Sequence, residues 1–436
     1  MRVSGRTAAE IAASLEGAIR DRRFAPGDTL PTVRQLAKSL KLSPATVAAA
    51  YRLLHGRALV TGERRRGTRV RVQAETLSHA RSGPSSIAGT VDLFSGNPDP
   101  VLLPPLDSAF RAVSLTPTLY GGPADVRELV AFAKGEFAAD GIDVPGVLVT
   151  AGGLDGIERV LREHLRPGDR VAVEDPVFPA LLNLLAAGGF AAEPLATDAE
   201  GPTPRGMDAA LRRRPAALIV TPRAQNPTGA SLSTQRIAEL RAILKRHPVP
   251  ILIENDPFGP VSGAPAATLT EGRSRWAIVR SMTKCLGPDL RLAIVAGDEL
   301  TLARVRARQA VGMRWVSHVL QQIALALWSD PSAGRHLVRV AETYAHRRRA
   351  LIGALSSVGV QIPAASGFNV WIPVRHETHV VEQLAQLGWG VAAGERFRLA
   401  SGPGIRVTTS ALAPDAAQRF ASDLASVFRS EAPALA

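Results

Sequence analysis

The chain has 436 residues, of which 46% are apolar and 21% are charged, and this composition excludes a largely disordered protein. Its length predicts two or three domains. No apolar run approaches the roughly 18 residues of a membrane span, and the first residues lack the apolar core of a signal peptide. The single cysteine, Cys285, excludes an intrachain disulfide, so we expect a cytoplasmic protein.

Positive charge is concentrated near the N-terminus. Residues 1–72 contain 15 Lys and Arg against 5 Asp and Glu, which is +10 of the total net charge of +13. The remaining residues contain 37 Lys and Arg against 34 Asp and Glu and are nearly balanced. A local excess of this kind in a segment with helical periodicity predicts a polyanionic partner, with nucleic acid favoured over a membrane surface.

The basic segment predicts three helices followed by a two-stranded wing. Apolar spacing indicates a helix over residues 7–22, and Thr32 is a suitable cap for a second helix. The pair Ser43-Pro44 is typical of a helix start and predicts a third helix through His55. Residues 59–72, LVTGERRRGTRVRV, alternate as two short strands with three arginines at the turn.

The ordered motifs FAPGDTLPTVRQLAKSLKLSPATVAAAYRLL and GTRVRV resemble the winged helix-turn-helix of GntR-type regulators. The resemblance implies binding to double-stranded DNA, with the third helix in the major groove and the wing at the backbone or minor groove. Where that family usually has an arginine, this chain has Pro44 followed by several alanines, so we expect phosphate contacts and the wing to dominate binding. The DNA contacts implied by the match are Arg34, Ser43, Thr46, Arg64, Arg65, Arg66 and Gly67.

A second, larger domain is predicted after a linker. Residues 73–90 lose apolar periodicity and are rich in Ser, Gly and Pro, which indicates a connection between domains. Beyond it, strand-like and helix-like segments alternate, the pattern of a mostly parallel sheet covered by helices, whose ligands gather at the carboxyl ends of the strands. A long helix over 335–358 and a small α+β unit over 366–428 follow.

We therefore predict an α/β protein with a DNA-binding domain at 5–72, the linker at 73–90 and a second domain at 91–436, whose small subdomain covers about 335–430. The predicted helices of the large region span 157–165, 178–187 and 234–246. The predicted strands are VLVTAG, RVAVED, ALIVTP, ILIEND, WAIVRS and RLAIVAG.

Lys284, in the stretch SMTKCLGPDLRL, is unusual because the chain has only 5 lysines against 47 arginines. A desolvated lysine amine can lose its proton and form a Schiff base, whereas a guanidinium remains protonated. Ser281 and Arg291 stand on either side of Lys284 and are suited to a phosphate. The turn Gly152-Gly153, between a strand and a helix, offers backbone N–H groups to the same kind of ligand.

These motifs, with EDPVFPA and NPTG, resemble the fold-type I pyridoxal-phosphate enzymes over residues 91–430, and the whole chain resembles a MocR-type regulator of the GntR family. The resemblance implies pyridoxal phosphate as cofactor and a homodimer. It assigns the Schiff base to Lys284, ring stacking to Phe178 and the ring hydroxyl to Asn226. The remaining implied contacts are Gly152, Gly153, Leu154, Ser281 and Arg291 at the phosphate, Tyr120 at the phosphate of the neighbouring subunit, and Arg406 at a substrate carboxylate.

The chain departs from the aminotransferase pattern beside the expected position of the pyridine ring. The family sequence EDDPYG is ENDPFG here, which places Asn255 where a carboxylate normally pairs with the ring nitrogen and Phe258 where a tyrosine assists the ring hydroxyl. An amide does not hold a proton on that nitrogen by charge. Asp256 would replace the carboxylate if the strand end shifted by one residue. Leu154 replaces a polar residue of the phosphate loop.

The predicted function is a transcriptional regulator that binds DNA and pyridoxal phosphate and senses the cofactor or an amino compound. Two alternatives remain open at this stage, an active aminotransferase with a DNA-binding appendage and a regulator that uses no cofactor. The spacing of His376 and His379 is not supported by further ligands, so we expect no metal site.

Overall fold

The computed structural model describes residues 3–21, 23–25, 27–56, 59–63, 67–70, 90–114 and 116–431. These residues form two compact units, the first built mainly from the described residues up to 70 and the second from most of those after 90. The predicted linker, 73–90, lies outside the described residues except for Thr90. No helix in the described ranges is both long and apolar enough to cross a membrane.

The N-terminal unit contains the three predicted helices and the two-stranded wing. Thr32 caps the second helix in a reciprocal box with Gln35, and the Ser43 hydroxyl accepts the Thr46 N–H at 3.1 Å at the start of the third. The helices pack through a continuous apolar core. The elements are α1 (Ala8–Arg20), α2 (Val33–Leu40), α3 (Pro44–Gly56), β1 (Val60–Glu63) and β2 (Gly67–Val70).

The second unit alternates helices and strands as predicted. Its helices are α4 (Leu106–Ala112), α5 (Arg127–Ala139), α6 (Gly153–His164), α7 (Pro179–Ala187), α8 (Pro204–Arg212), α9 (Thr234–Arg246), α10 (Thr283–Leu286), α11 (Glu299–Val311), α12 (His318–Ser329), α13 (Pro331–Ser357), α14 (Glu377–Gln386) and α15 (Pro414–Glu431). Its strands are β3 (Val91–Asp92), β4 (Gly146–Thr150), β5 (Arg170–Asp175), β6 (Ala191–Asp198), β7 (Gly201–Pro202), β8 (Ala217–Val220), β9 (Ile251–Asp256), β10 (Trp276–Ser281), β11 (Ala293–Gly297), β12 (Asn369–Pro373), β13 (Trp389–Gly390), β14 (Ala392–Ala393) and β15 (Gly404–Thr408).

An eight-stranded sheet in the order β4-β11-β10-β9-β8-β5-β6-β7 positions the predicted motifs. The central strands β8, β9 and β10 are parallel, so their carboxyl ends lie at one edge. Strand β11 runs antiparallel to both of its neighbours, β10 and β4. Asn226 and Lys284 lie in the segments that follow β8 and β10, and Asn255 is the second-last residue of β9, so the sheet brings these three residues to the same edge.

The small subdomain is built on a three-stranded sheet in the order β12-β15-β14. Arg406 lies in the central strand, opposite Trp371 on one side and Ala392 on the other. Helices α13, α14 and α15 supply apolar side chains to the core of this sheet, including Leu351, Leu384 and Phe420. A central strand fixes the backbone of Arg406 on both edges, which restricts the positions that its side chain can reach.

Candidate cofactor site

Lys284 lies in the short helix α10, directly after β10. Its Nζ donates a hydrogen bond to the carbonyl oxygen of Gly96 at 2.7 Å and is 5.5 Å from the ring centroid of Phe368. Burial, together with the positive charge of Arg406, lowers the pKa of Lys284 to about 8. Because an exposed lysine has a pKa of about 10.4, Lys284 carries a larger neutral, nucleophilic fraction near pH 7.

The turn before α6 lies against two side chains suited to an anion, Arg291 and Ser281. Gly152 has a φ of +109°, and a Cβ at this position would lie 2.9 Å from an Nη of Arg291. A Cβ at Gly153 would lie 3.4 Å from the Cβ of Ser281. Arg291 and the Ser281 hydroxyl therefore flank the first turn of α6, where backbone N–H groups have no partner within the helix. Leu154, the second residue of α6, adds no polar group.

Phe178 and Asn226 follow β5 and β8, and both side chains are half-buried. The β5 end is fixed because the Val177 N–H donates to the Phe397 carbonyl at 2.7 Å. The Asn226 Oδ1 accepts a hydrogen bond from an Nη of Arg406 at 3.4 Å. Strand order thus places an aromatic ring and a neutral amide at the sheet edge that also carries Lys284.

Arg406 is buried, with 4% of its surface exposed. One Nη donates to the carbonyl oxygen of Phe94, and Gly96 approaches so closely that a Cβ there would lie 3.1 Å from the other Nη. Among the described residues its Nε has no hydrogen-bond partner and its charge has no carboxylate partner. Burial, followed by repulsion from Arg396, lowers the pKa of Arg406 to about 10. A buried guanidinium of this kind is suited to a ligand carboxylate.

Both carboxylate oxygens of Asp256 are engaged by buried arginines. Both of its oxygens accept hydrogen bonds from Arg223, at 3.1 and 2.8 Å, and one also accepts from Arg280 at 2.8 Å. The two guanidinium groups hold the pKa of Asp256 far below its usual range against the opposing effect of burial. The geometry therefore argues against the one-residue shift that the sequence left open.

Asn255 points to the opposite face of β9 from Asp256, because successive side chains alternate along a strand. It is half-buried, and its side chain has no hydrogen-bond partner among the residues that the structure describes. Phe258 is 1% exposed and packs edge-to-face on Phe368, with ring centroids 4.6 Å apart. The position where a tyrosine would help the ring hydroxyl is therefore an apolar contact beneath Lys284.

Tyr120 is not brought to the Lys284 site of its own chain. It is 79% exposed, and its ring meets Trp315 edge-to-face at 5.6 Å, with the guanidinium of Arg314 5.0 Å from its centroid. The exposed position leaves the predicted contact with a neighbouring subunit as an expectation for the assembled protein.

The predicted DNA contacts are only partly within the described residues. Arg34 is exposed on α2, and Ser43 is exposed but its hydroxyl also contacts Thr46 at 2.8 Å. Gly67 begins β2. The three wing arginines, Arg64, Arg65 and Arg66, lie outside the described residues.

Sequence motifs missed several residues that shape the site. Phe94 and Gly96 receive hydrogen bonds from Arg406 and Lys284 through their carbonyls, and Arg223 holds Asp256. The sequence did contain one usable signal, since alternation along ILIEND puts Asn255 and Asp256 on opposite faces. The carbonyl contacts join residues 188 and 312 positions apart, and local patterns do not predict such pairs.

The described residues fit the pyridoxal phosphate that the fold implies. Lys284 provides a desolvated amine, and Arg291 approaches Gly152 so closely that a Cβ there would collide with its guanidinium. The buried Nε of Arg406 has no hydrogen-bond partner within the described ranges. This donor set suits an aldehyde, a phosphate and a carboxylate, the groups that pyridoxal phosphate and an amino acid present together.

Two protein families match consecutive parts of the chain. Bacterial regulatory proteins of the gntR family match residues 7–70, and aminotransferases of class I and II match residues 104–424. The chain is 40% identical over 426 residues to the vitamin B6 salvage pathway transcriptional repressor PtsJ of Salmonella typhimurium, covering 97% of this chain and 98% of that protein.

A second relative and a solved structure extend this similarity. The chain is 31% identical over 246 residues to the pyridoxine biosynthesis transcriptional regulator PdxR of Corynebacterium glutamicum, covering 53% and 52% of the two chains. The kynurenine aminotransferase of Pyrococcus horikoshii superposes with a TM-score of 0.70 at 19% identity, over 83% of this chain and 94% of that one, which shows a shared fold. With a gntR-type domain followed by an aminotransferase domain, and with a transcriptional repressor matched over nearly its whole length, the chain belongs to the MocR-type regulators of the GntR family.

Proposed function

We propose that this chain is a DNA-binding transcriptional regulator whose aminotransferase-like domain binds pyridoxal phosphate and senses it, or an amino compound that reacts with it. The observation that carries the proposal is the pairing of a desolvated Lys284 with an amide, Asn255, on the adjacent strand end. The names of PtsJ and PdxR, which refer to vitamin B6 salvage and pyridoxine biosynthesis, support a vitamin B6 compound as the signal.

The residues that would hold the cofactor have separate tasks. Ser281, Arg291 and the first turn of α6 would bind the phosphate, and Phe178 and Asn226 would lie beside the ring. Bound pyridoxal phosphate would supply an aldehyde that accepts an amine. Lys284 is suited to meet this group because burial lowers the pKa of its amine to about 8.

Asn255 makes efficient turnover the less favoured function. A carboxylate at this position would stabilise a proton on the ring nitrogen by its charge, whereas the Asn255 amide has no charge to do so. Asp256 is engaged with Arg223 and Arg280 and cannot serve this purpose without breaking those hydrogen bonds. The site therefore supports attachment of a cofactor and an amino compound more strongly than it supports catalysis.

The N-terminal unit supports DNA binding through its charge and its exposed cations. It carries +10 of the net charge of the chain, and Arg34 projects from the helix before the recognition helix α3. The bases would be read weakly, because α3 presents Ala45, Ala48 and Ala49 near its start. Phosphate contacts would then give most of the affinity and a steep dependence on salt.

A homodimer would complete the site in this proposal. The exposed apolar side chains Leu119, Tyr120, Val311 and Met313, between 49% and 87% exposed, provide a surface of the kind that subunits cover. Tyr120 would reach the phosphate of the partner from this surface. Analytical ultracentrifugation of wild type and Tyr120→Phe would separate the two roles, because loss of the hydroxyl should weaken cofactor binding and leave the dimer intact.

The deciding experiment is an operator titration on a DNA fragment from upstream of the chain's own gene. Wild type, Lys284→Ala and the exposed-lysine control Lys134→Ala would be compared with and without pyridoxal phosphate and amines. We expect the cofactor to change the DNA affinity of wild type and Lys134→Ala but not of Lys284→Ala. The same DNA affinity under all conditions would refute the sensor, and rapid steady-state conversion of keto acids would show an enzyme instead.

A further inference from the structure

A second arginine, Arg396, shares a contact residue with Arg406. The guanidinium of Arg396 lies 5.5 Å from the ring centroid of Phe94, and Arg406 donates a hydrogen bond to the carbonyl oxygen of the same Phe94. No carboxylate among the described residues pairs with either arginine. Among the described residues, two positive charges without a carboxylate partner therefore contact one residue, Phe94. Gly96, two residues further along the chain, lies against Arg406 and accepts the hydrogen bond from Lys284.

The segment that carries Arg396 is held rigidly by two buried carboxylates. Asp175 accepts the N–H groups of Leu399, Ala400 and Ser401 at 2.7 to 2.8 Å, together with the Ser401 hydroxyl. Glu377 accepts the N–H of residue 395 at 2.6 Å and that of residue 404 at 2.9 Å. A segment fixed on both sides holds Arg396 in place before any ligand arrives, which reduces the ordering cost of binding.

The charges around the two arginines do not cancel. Arg398 is neutralised by Glu377 at 2.8 Å, so it does not add to the excess. Asp92 is the nearby acid, and its Oδ1 accepts the N–H groups of Phe94 and Ser95 at 2.9 Å. The pKa of Arg406 is nevertheless lowered to about 10, because burial and repulsion from Arg396 outweigh the attraction of Asp92.

We propose that the amino compound sensed by this site carries two anionic groups, a carboxylate bound by Arg406 and a second anion bound by Arg396. The chemical class is a dicarboxylic amino compound. The inference rests on the proposed function, since it names the ligand class of the same site, and it makes Arg396 the residue that distinguishes dianionic from monoanionic ligands.

Glutarate and butyrate test this without any reaction at Lys284, because one has two carboxylates, the other has one, and neither has an amine. Calorimetric titration of the full-length protein, carried out with pyridoxal phosphate present, would measure both at constant ionic strength. We expect glutarate to bind about tenfold more tightly than butyrate, the effect of one added charge-assisted hydrogen-bonding contact. Arg396→Gln should bring the affinity for glutarate down to that for butyrate, and Arg406→Gln should weaken both.

Arg419→Gln is the matched control, because Arg419 also places its guanidinium over an aromatic ring, 4.5 Å from the centroid of Trp389, but on the exposed side of α15. It should keep the wild-type preference for glutarate. Equal affinities of wild type for the two acids, or a preference that survives in Arg396→Gln, would overturn the inference. Loss of the cofactor effect on operator binding with the glutarate preference retained would instead refute the proposed function alone.

Discussion

The residues suited to attach the cofactor differ in chemistry from those near the expected position of its ring nitrogen. The attachment group, Ser281, Lys284 and Arg291, retains the hydroxyl, amine and guanidinium that the aminotransferase pattern calls for. The ring group, Asn255 and Phe258, has an amide and a phenyl ring where that pattern has a carboxylate and a phenol. Ser281 and Asn255, one from each group, stand near the carboxyl ends of the neighbouring parallel strands β10 and β9, so the fold does not cause the difference.

This contrast teaches that one fold can keep its binding chemistry while losing part of its reaction chemistry. Attachment depends on a desolvated amine and an anion pocket, and both are built from backbone geometry and burial. Proton control at the ring depends on a single charge, which one substitution removes. A regulator needs only the first property, because its output is a change in DNA affinity.

Among the variants considered, replacing Lys284 should have the largest effect, because it removes the amine of the attachment group. Lys284→Arg keeps the positive charge but cannot form a Schiff base, so covalent attachment should be lost completely. Borohydride reduction followed by peptide mass spectrometry should place the cofactor on Lys284 in wild type. A cofactor adduct of equal yield in Lys284→Arg, or one located on Lys245 in wild type, would contradict the assignment.

Asp256→Asn should chiefly reduce stability, because it removes one of the two carboxylates that pair with the buried Arg223 and Arg280, leaving only Asp140 at 3.5 and 2.6 Å among the described residues. The expected loss is about 1–3 kcal/mol in the free energy of unfolding, measured by urea denaturation at pH 7, because Asp140 still pairs with both guanidinium groups. Because folding lowers the pKa of Asp256, its contribution is present above the pKa of the unfolded carboxyl and is lost as the pH falls through the folded value. Wild-type stability in Asp256→Asn would return this residue to the list of candidates for the ring nitrogen.

Asn255→Asp should shift the ring group toward the enzyme pattern. A carboxylate at this position would raise the pKa of the ring nitrogen by its negative charge, so conversion of an amino donor should speed up on the order of tenfold or more. Keto-acid production in the presence of excess cofactor measures this change. The test also has a control in Asn226→Ala, which removes an amide of the same site without adding charge and should not increase the rate.

The smallest expected effect is the pH dependence of attachment. Lys284 must be neutral to react, so the rate of cofactor attachment should rise with pH and level off above about 8. Arg406→Gln removes a neighbouring positive charge, which should move the midpoint to higher pH. Stopped-flow absorbance across pH 6 to 10 would show both, and a midpoint unaffected by Arg406→Gln would disprove the coupling between the two cations.

Most of the fold could be predicted from the sequence, because apolar periodicity and capping residues are local signals. The helix predicted over 234–246 was found as Thr234–Arg246, and the long helix predicted from residue 335 begins at Pro331. The resemblance also named the residues at the strand ends. It did not reveal that β11 runs antiparallel to both neighbours, since strand direction in a sheet is decided by distant partners.

The less predictable part of the site is made by contacts between distant positions. Asp256 accepts hydrogen bonds from Arg223, 33 residues earlier in the chain, and from Arg280 in β10. No spacing rule in the sequence predicts that these two arginines bind the same carboxylate. Arg396 lies in a short 3₁₀ helix without a recognisable motif. Its proposed role in ligand binding follows from its contact with the ring of Phe94, more than 300 positions away in the chain.

The four hydrogen bonds that converge on Asp175 give the site a mechanical property. This carboxylate ends β5, three residues before Phe178, and it also carries the segment of Arg396. A displacement of that segment by a ligand must therefore either pull on the strand end or break several charge-assisted hydrogen bonds at once. Asp175 therefore ties the position of the segment that carries Arg396 to the strand end that precedes Phe178.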